Sequence, residues 1–274
     1  MQIHWIFHSG FLVEGEDAAL VFDLFQDPAG VLPDFFRRRR EPGRALRPVF
    51  VFVSHAHTDH CSPIVLEWAR EPGVYLVLED EAAEILLEDG KRRRGAAGVE
   101  AVRMRPGMAF RLGADGLPAE AGRPAAIEVA TFGSTDRGVS FRVRLDGRTL
   151  FYAGDLNDWY WEDESTPEEL AADEAAFDGV VEDLRTAQEA AGEGPLDVAF
   201  LPLDPRLGIH AARGPLRFAR RVRTRWLVPM HLPAGTDQPA GLAREAGETA
   251  KVVQFAGPGA SFSPDGPDNR TPGR

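Results

Sequence analysis

The chain reads as an α/β protein, and three observations predict that class. Short apolar runs rich in β-branched and aromatic residues, such as 49–53 and 139–145, have the length and composition of strands. Between them lie longer stretches opened by capping residues and prolines, most plainly Thr166-Pro-Glu-Glu169. Asp146-Gly147 separates two alternating runs, a turn chemistry that predicts a hairpin and so an antiparallel pair within the alternation. A chain of 274 residues, 43% of them apolar, can bury a substantial core, and one domain is expected over residues 1–256. From Gly257 to Arg274 the sequence is Pro/Gly-rich and polar, and a disordered tail is expected there.

The elements follow in order. Residues 1–7, 11–13 and 18–22 predict a β-meander, interrupted by His8-Ser9-Gly10 and ending at Asp23. Residues 25–48, with Phe35-Phe36 and four arginines at 37–40, predict a long loop with a short helix, lying over the site or on the surface. Val49–Val53 is a buried strand. Ser62-Pro63 reads as the N-cap and first residue of a helix over 64–70. A strand at 74–78 leads into a helix over 79–89, with Asp80 as N-cap and Gly90 as its stop. Strands are expected at 99–104, 108–112, 125–131, 139–145 and 149–153. The helix opened by Thr166 runs to about Ala191 with Leu170, Phe177, Val181 and Leu184 as its buried stripe. A strand at 196–203, a helix at 214–222 and a last strand at 226–230 complete the pattern.

A formal charge of −12 argues against a general nucleic-acid binder, because phosphate backbones need a basic surface. The basic clusters Arg37–Arg40 and Lys91–Arg94 read as solvated charge. The single cysteine, Cys61, excludes an internal disulfide and suits the cytoplasm as a small buried thiol. No run is long enough to span a bilayer, so no membrane partner is expected. Oligomeric state has no signal in the sequence.

The chemistry concentrates after Val53, where a polar turn carries His55, His57, Asp59 and His60. Imidazole nitrogen and carboxylate oxygen are ligands that suit zinc, iron or manganese. Crowding four such groups without a cation buries polar atoms at a cost, so metal binding is the expectation. Leu156-Asn-Asp-Trp-Tyr-Trp161 supplies three aromatics that can be a ligand-binding wall or loop packing; Asn157, Trp159 and Trp161 are the candidate pocket residues. Asp204, at the end of a strand and before proline, can serve a site or open a turn.

The spacing His-x-His-x-Asp-His after an apolar strand resembles the motif of the metallo-β-lactamase-fold hydrolases. That resemblance implies an αββα four-layer sandwich with metals at one edge between the sheets. It implies that Asp155, after Leu150–Gly154, bridges two ions, that Asp59, His60 and His231 complete the second site, and that His55 and His57 belong to the first. Asp23 would support the histidine loop, and His8, in a His-Ser pair, would stand near the metal mouth and act in catalysis with Asp59. One place departs from the pattern. No histidine lies between residues 61 and 154, where a third ligand of the first metal is expected. Gly133-Ser-Thr-Asp136 stands there, similar to a lactonase-like branch of the family. Ser134, Thr135 and Asp136 are its candidate replacements, with Asp136 chemically the best and Asp204 a further candidate. The implied cofactor is one or two divalent ions, zinc first and iron or manganese as alternatives. The implied activity is hydrolysis of a small molecule, a lactone or phosphoester, by a metal-activated water. A metal-binding protein serving redox or sensing is the alternative, with a nuclease of the same fold behind it.

Overall fold

The computed structural model describes all residues except 44, 93–98, 121, 234–239, 248 and 267–274. Two seven-stranded sheets pack face to face, each antiparallel over one half and parallel over the other. The first holds β1 (Gln2–Phe7), β2 (Gly10–Glu14), β3 (Ala19–Phe22), β4 (Val49–Val53), β5 (Val74–Glu79) and β6 (Ala101–Met104) in that order, with a seventh, C-terminal strand at Ser261–Phe262 on the outer side of β1. The second runs β7 (Ala109–Leu112), β8 (Ile127–Phe132), β9 (Ser140–Leu145), β10 (Arg148–Tyr152), β11 (Leu196–Pro202), β12 (Thr224–Met230) and β13 (Lys251–Val252).

Alternation along the strands sorts the side chains into layers. Phe11, Leu20, Phe22, Phe50 and Phe52 meet Val129, Phe141, Val143, Leu150 and Tyr152 in the core between the sheets. Val21, Val49, Val51, Leu76 and Leu78 point the other way, against Leu32, Phe35 and Phe36 of α1 (Val31–Arg39) and Leu86 of α3 (Asp80–Arg92). On the far side, α4 (Pro167–Ala190) and α5 (Arg213–Arg221) cover the second sheet, with Phe218 stacked on Phe151 at 5.1 Å. The result is the expected αββα sandwich.

Local chemistry explains most boundaries. Asp146 and Gly147 both adopt positive φ, 51° and 73°, as the two-residue hairpin between β9 and β10 requires. Asp146 also accepts the Glu16 and Asp17 amides, tying this hairpin to the turn between β2 and β3. Thr166 and Glu169 form the reciprocal capping box of α4. Phe177, Val181 and Leu184 are buried on that helix, each stabilising by roughly 2 kcal/mol; Leu170, in its first turn, is only half-buried.

Several expectations need correction. The helix after the histidine turn is one turn, α2 (Val65–Trp68), because Val65 and Leu66 bond to the Ser62 and Pro63 carbonyls in three-residue turns and Ser62 gives no side-chain cap. Glu79, not Asp80, caps α3 by accepting the Ala82 amide, and α3 runs through the buried Gly90. Phe35 lies in the core beneath the first sheet, away from the site. The tail is not structureless from residue 257: β14 (Ser261–Phe262) pairs with β1 and buries Phe262, giving the edge strand partners that composition did not reveal; residues 267–274 fall outside the described part. Of the basic clusters, Arg37, Arg38 and Arg40 pair with Asp34, Glu14 and Glu71, and Arg39 donates to the Arg47 and Pro72 carbonyls. Arg93 and Arg94 lie outside the described residues, as do the side chains of Lys91 and Arg92.

Glu14, at the end of β2, illustrates a charge the fold exploits. Burial raises its pKa, but the close approach of His4, at 3.1 Å, and the hydrogen-bonded Arg38 guanidinium outweigh burial and bring it down to about 2. A carboxyl with a depressed folded pKa adds stability above its unfolded value and loses it as pH falls through the folded one. Glu14→Gln is therefore expected to lower stability near neutral pH by on the order of 2 kcal/mol. The deficit relative to wild type should vanish between about pH 4.5 and pH 2. Denaturant titrations of both proteins across that range check it; a deficit independent of pH would refute the assignment.

Candidate metal centre

β4 delivers Ser54 and then the histidine turn, which the Cys61 amide closes by bonding to the His57 carbonyl at 2.8 Å. Behind it stands Asp23, at the end of β3 and 1% exposed. Its carboxylate accepts the Ser54 amide at 2.7 Å, the Ser54 hydroxyl at 2.6 Å and His60 Nδ1–H at 2.7 Å. The Tyr152 hydroxyl of β10 lies 2.9 Å from the same carboxylate and 2.8 Å from the Ser9 carbonyl. The support expected of Asp23 is thus a bond network joining both sheets.

That network fixes which ring nitrogens face the site. Ser54 gives its proton to Asp23, so its oxygen accepts from His55 Nδ1, 2.9 Å away, leaving His55 Nε2 as a lone pair. His60 donates Nδ1–H to Asp23 and likewise exposes Nε2. His231 follows β12 and places Nδ1 3.0 Å from Asp204, so its Nε2 also turns inward. His8 has Nδ1 3.2 Å from the Ser9 hydroxyl and is joined to the residue after His231 by an isolated bridge, His8 to Leu232. His8, Asp23 and His231 adopt positive φ values of 53°, 31° and 62°. Strained backbone of this kind persists where surrounding structure over-determines it, and here it aims the site's side chains.

The inward atoms fall into two sets that share Asp155. His55 Nε2, His57 Nδ1 and Asp155 Oδ2 lie 3.0–3.9 Å apart. His8, His60 and His231 present Nε2 around Asp59 Oδ2 at 3.9, 3.9 and 4.0 Å. Asp155 Oδ1 turns to this second set, 3.1 Å from His60 Nε2 and 3.6 Å from His231 Nε2. One carboxylate oxygen therefore faces each set. Yet His60 Nε2 and Asp155 Oδ1 are buried and make no hydrogen bond with proper geometry. Such atoms are costly unless something satisfies them, and a divalent cation among neutral imidazoles and carboxylates does so. The donor set fits a metal.

Charge agrees with that reading. Burial lowers the His8 pKa, with His231 and His60 adding to it, to about 4, so its Nε2 keeps a lone pair at neutral pH. Burial acts to lower His60 too, but Asp155 and Asp23 outweigh it and raise it, so without a cation this ring favours a proton on Nε2, which a bound ion would replace. Burial raises Asp155, and the opposing pull of His60, His55 and His231 holds it well below the carboxylate range. Cys61 lies outside both sets; burial pushes its thiol up to about 12, so it stays protonated.

Gly154 and Gly138 permit this closeness. A Cβ on Gly154, at φ 55°, would come within 2.9 Å of Ser54 Cβ, and one on Gly138, at φ 73°, within 2.1 Å of the Ser54 carbonyl. Above the ligand atoms a cleft of about 410 Å³ opens, lined by His57, Asp59, Thr135, Asp136, Trp159 and Trp161, among others. The two indoles stack with planes 3° apart, and Trp159 is fixed by donating to the Asp155 carbonyl.

The candidate replacements separate clearly. Asp136 Oδ2 is 3.7 Å from His57 Nδ1 and faces the cleft. Thr135 instead clamps the loop after Asp155, accepting the Asn157 amide and donating to its carbonyl. The Ser134 hydroxyl meets only the Asp136 amide, at 3.4 Å, among the described hydrogen bonds. Asp204 is no replacement ligand: it stands behind His231 and is occupied by Arg206. Asn157 is not a cleft residue, since it is 1% exposed beneath the loop against Gly214. His210 pairs with Glu162 away from both sets. Sequence reasoning passed over Arg206, which lines the cleft; its signal was the strand-end Asp204 two residues earlier.

Residues 21–232 match the family described as beta-lactamase superfamily domain. The chain belongs to that family. A relative named UPF0173 metal-dependent hydrolase, from Thermococcus kodakarensis, is 26% identical over 92% of this chain and 95% of its own length. One of the same name from Opitutus terrae is 29% identical over 94% and 98%. Among solved structures, Igni18, a metallo hydrolase from Ignicoccus hospitalis, aligns with a TM-score of 0.61 at 19% identity, covering 96% of this chain and 98% of its own. That likeness bears on the fold alone.

Two substitutions separate the Asp23 network from simple packing. Asp23→Asn removes the acceptor that orients His60 and is expected to weaken metal affinity by about 10–100-fold. Tyr152→Phe deletes one donor and should cost about 1 kcal/mol of stability with metal affinity nearly intact. Calorimetric zinc titration and denaturant unfolding of both variants decide it; equal metal affinity in Asp23→Asn would count against the network.

Proposed function

We propose that the chain is a metal-dependent hydrolase of a small molecule, a lactone or phosphoester. The observation that carries this reading is the buried, unpartnered pair His60 Nε2 and Asp155 Oδ1 at the floor of an open cleft. His8, His60, His231 and Asp59 would hold one divalent ion and His55 and His57 another. Asp155, with one oxygen turned to each set, would serve both, and Asp136 stands beside His57. Zinc is the favoured ion, because imidazole and carboxylate donors suit it. A bound cation lowers the pKa of water from about 15.7 toward about 7 and polarises a carbonyl or phosphoryl oxygen.

The chain's own groups do the rest. Asp59, with Oδ2 turned to the imidazoles and its side chain 35% exposed, keeps its other oxygen for the proton of the attacking water. His8 changes role from the catalytic one expected: its Nε2 joins His60 and His231 as a third imidazole, compensating in number for the one the first set lacks. Trp159 and Trp161 form an apolar wall that orients the substrate and excludes water. Among the described residues no helix is long and apolar enough to cross a membrane. The single cysteine, protonated and buried, suits a cytoplasmic enzyme.

The experiment is metal titration of wild type, His8→Ala and Asp136→Ala, followed by assay on lactone and phosphodiester panels. Wild type is expected to bind two zinc ions per chain with unequal affinity. His8→Ala should weaken the tighter one and Asp136→Ala the other, each by about tenfold or more. A chain that binds no metal, or that is fully loaded and hydrolyses neither panel, ends this reading.

A further inference from the structure

Arg206 is the one arginine or lysine among the described residues lining the cleft, which otherwise carries four carboxylates, Asp59, Asp136, Asp155 and Asp173. Its side chain is 65% exposed, yet it is not free to wander. One edge of the guanidinium is held by Asp204: Nε lies 3.0 Å from Oδ1 and 2.9 Å from Oδ2, and Nη2 also bonds to Oδ2. The guanidinium also lies over the ring of Trp161, 5.6 Å from its centroid. The backbone helps, since Asp204 Oδ1 accepts the Arg206 amide at 2.9 Å and so fixes the turn that carries the side chain. A guanidinium has two edges suited to planar anions, and Asp204 takes only the Nε/Nη2 edge. Among the described residues, Nη1 has no acceptor, so the Nη1/Nη2 end remains for a ligand.

We propose that Arg206 is the specificity residue of this cleft and that the substrate carries an anionic group, a carboxylate or phosphate, bound by the Nη1/Nη2 end of its guanidinium. The proposal rests on the hydrolase reading above and narrows its substrate to small anionic molecules. Asp59 and Asp155 are ligands in that reading, so the ions offset their charge and leave the guanidinium as the fixed cation that an anion meets on the protein. Asp204 serves two groups, orienting His231 through Nδ1 and Arg206 through Nε, which sets the anion site in fixed relation to the metal centre. The stacked Trp159 and Trp161 lie between as the apolar wall for the body of the substrate.

The test titrates metal-loaded protein with inorganic phosphate and, separately, with succinate, by calorimetry and by the fluorescence of the tryptophans beside Arg206. Wild type is expected to bind at least one of the two. Arg206→Gln should weaken that binding by about tenfold or more, the effect of losing a charge-assisted pair. Arg206→Lys should recover part of it, because an ammonium keeps the charge without the fork. The anion that loses more affinity identifies the group as phosphate or carboxylate. Metal content should match wild type in both variants. Loss of metal in Arg206→Gln would mean that the guanidinium acts only through Asp204 and His231, and overturns the proposal. So does equal anion affinity in wild type and Arg206→Gln, or no binding of either anion by wild type. Because binding is read without turnover, a protein that captures anions through Arg206 but hydrolyses nothing defeats the hydrolase reading and not this one.

Discussion

The buried carboxylate of Asp23 is the interaction on which the site depends. It collects donors from β4, from the histidine turn and from β10, and so joins the two sheets at the edge where the ligand atoms gather. An ionised carboxylate in the interior is tolerable only when its lone pairs are filled by good donors. Here the filling does more than neutralise a cost. His60, held through Nδ1, turns its Nε2 inward; Ser54 passes the effect on to His55; and the Tyr152 hydroxyl shares its one proton between Asp23 and the Ser9 carbonyl beside His8.

The same device recurs at His231, where Asp204 plays the part that Asp23 plays for His60. The two acids come from the ends of β3 and β11, one from each sheet, at strand termini that point to the same edge. β12 can carry Pro229 next to this edge because its neighbour β13 pairs only with Trp226 and Leu227 and requires no amide from residue 229. Ordinary sheet geometry thus brings the imidazoles together, and among the described residues the non-glycine positions with positive φ are Asp146 in its hairpin turn and His8, Asp23 and His231 at the site, where direction matters.

Much of this was legible in the chain. The strand before His55, the Asp-Gly hairpin and the capping box of α4 are local signals, and the structure repeats them nearly residue for residue. Four ligand-type side chains in one turn raised the expectation of a metal because no packing argument accounts for them, and the structure brings them into groups that could hold one. What stayed hidden depends on partners far apart in sequence. Asp204 was ambiguous because a strand-end aspartate before proline looks alike whether it opens a turn or holds a histidine. Asn157 looked like a cleft residue because its neighbours are aromatic, and only the approach of Gly214 shows it to be covered. The strand at Ser261–Phe262 is two residues long, too short for any periodicity, and exists because β1 offers it an edge. His8 was read as a reactive group near the metals; its standing among the other imidazoles follows from a bridge to Leu232 that no local pattern encodes.

That bridge has a bearing on how the protein is made. The His55–His60 turn and its strand are a compact local unit, but the second set of ligand atoms needs His8 and His231 brought side by side from distant parts of the chain. Contacts of such long sequence separation form late, after the loop-closure entropy of the intervening chain has been overcome. During synthesis, an ion captured early would therefore be held by the nearby imidazoles of a single turn, and only the completed sandwich provides the full cage. Tight metal retention would in this sense report that the chain has finished folding.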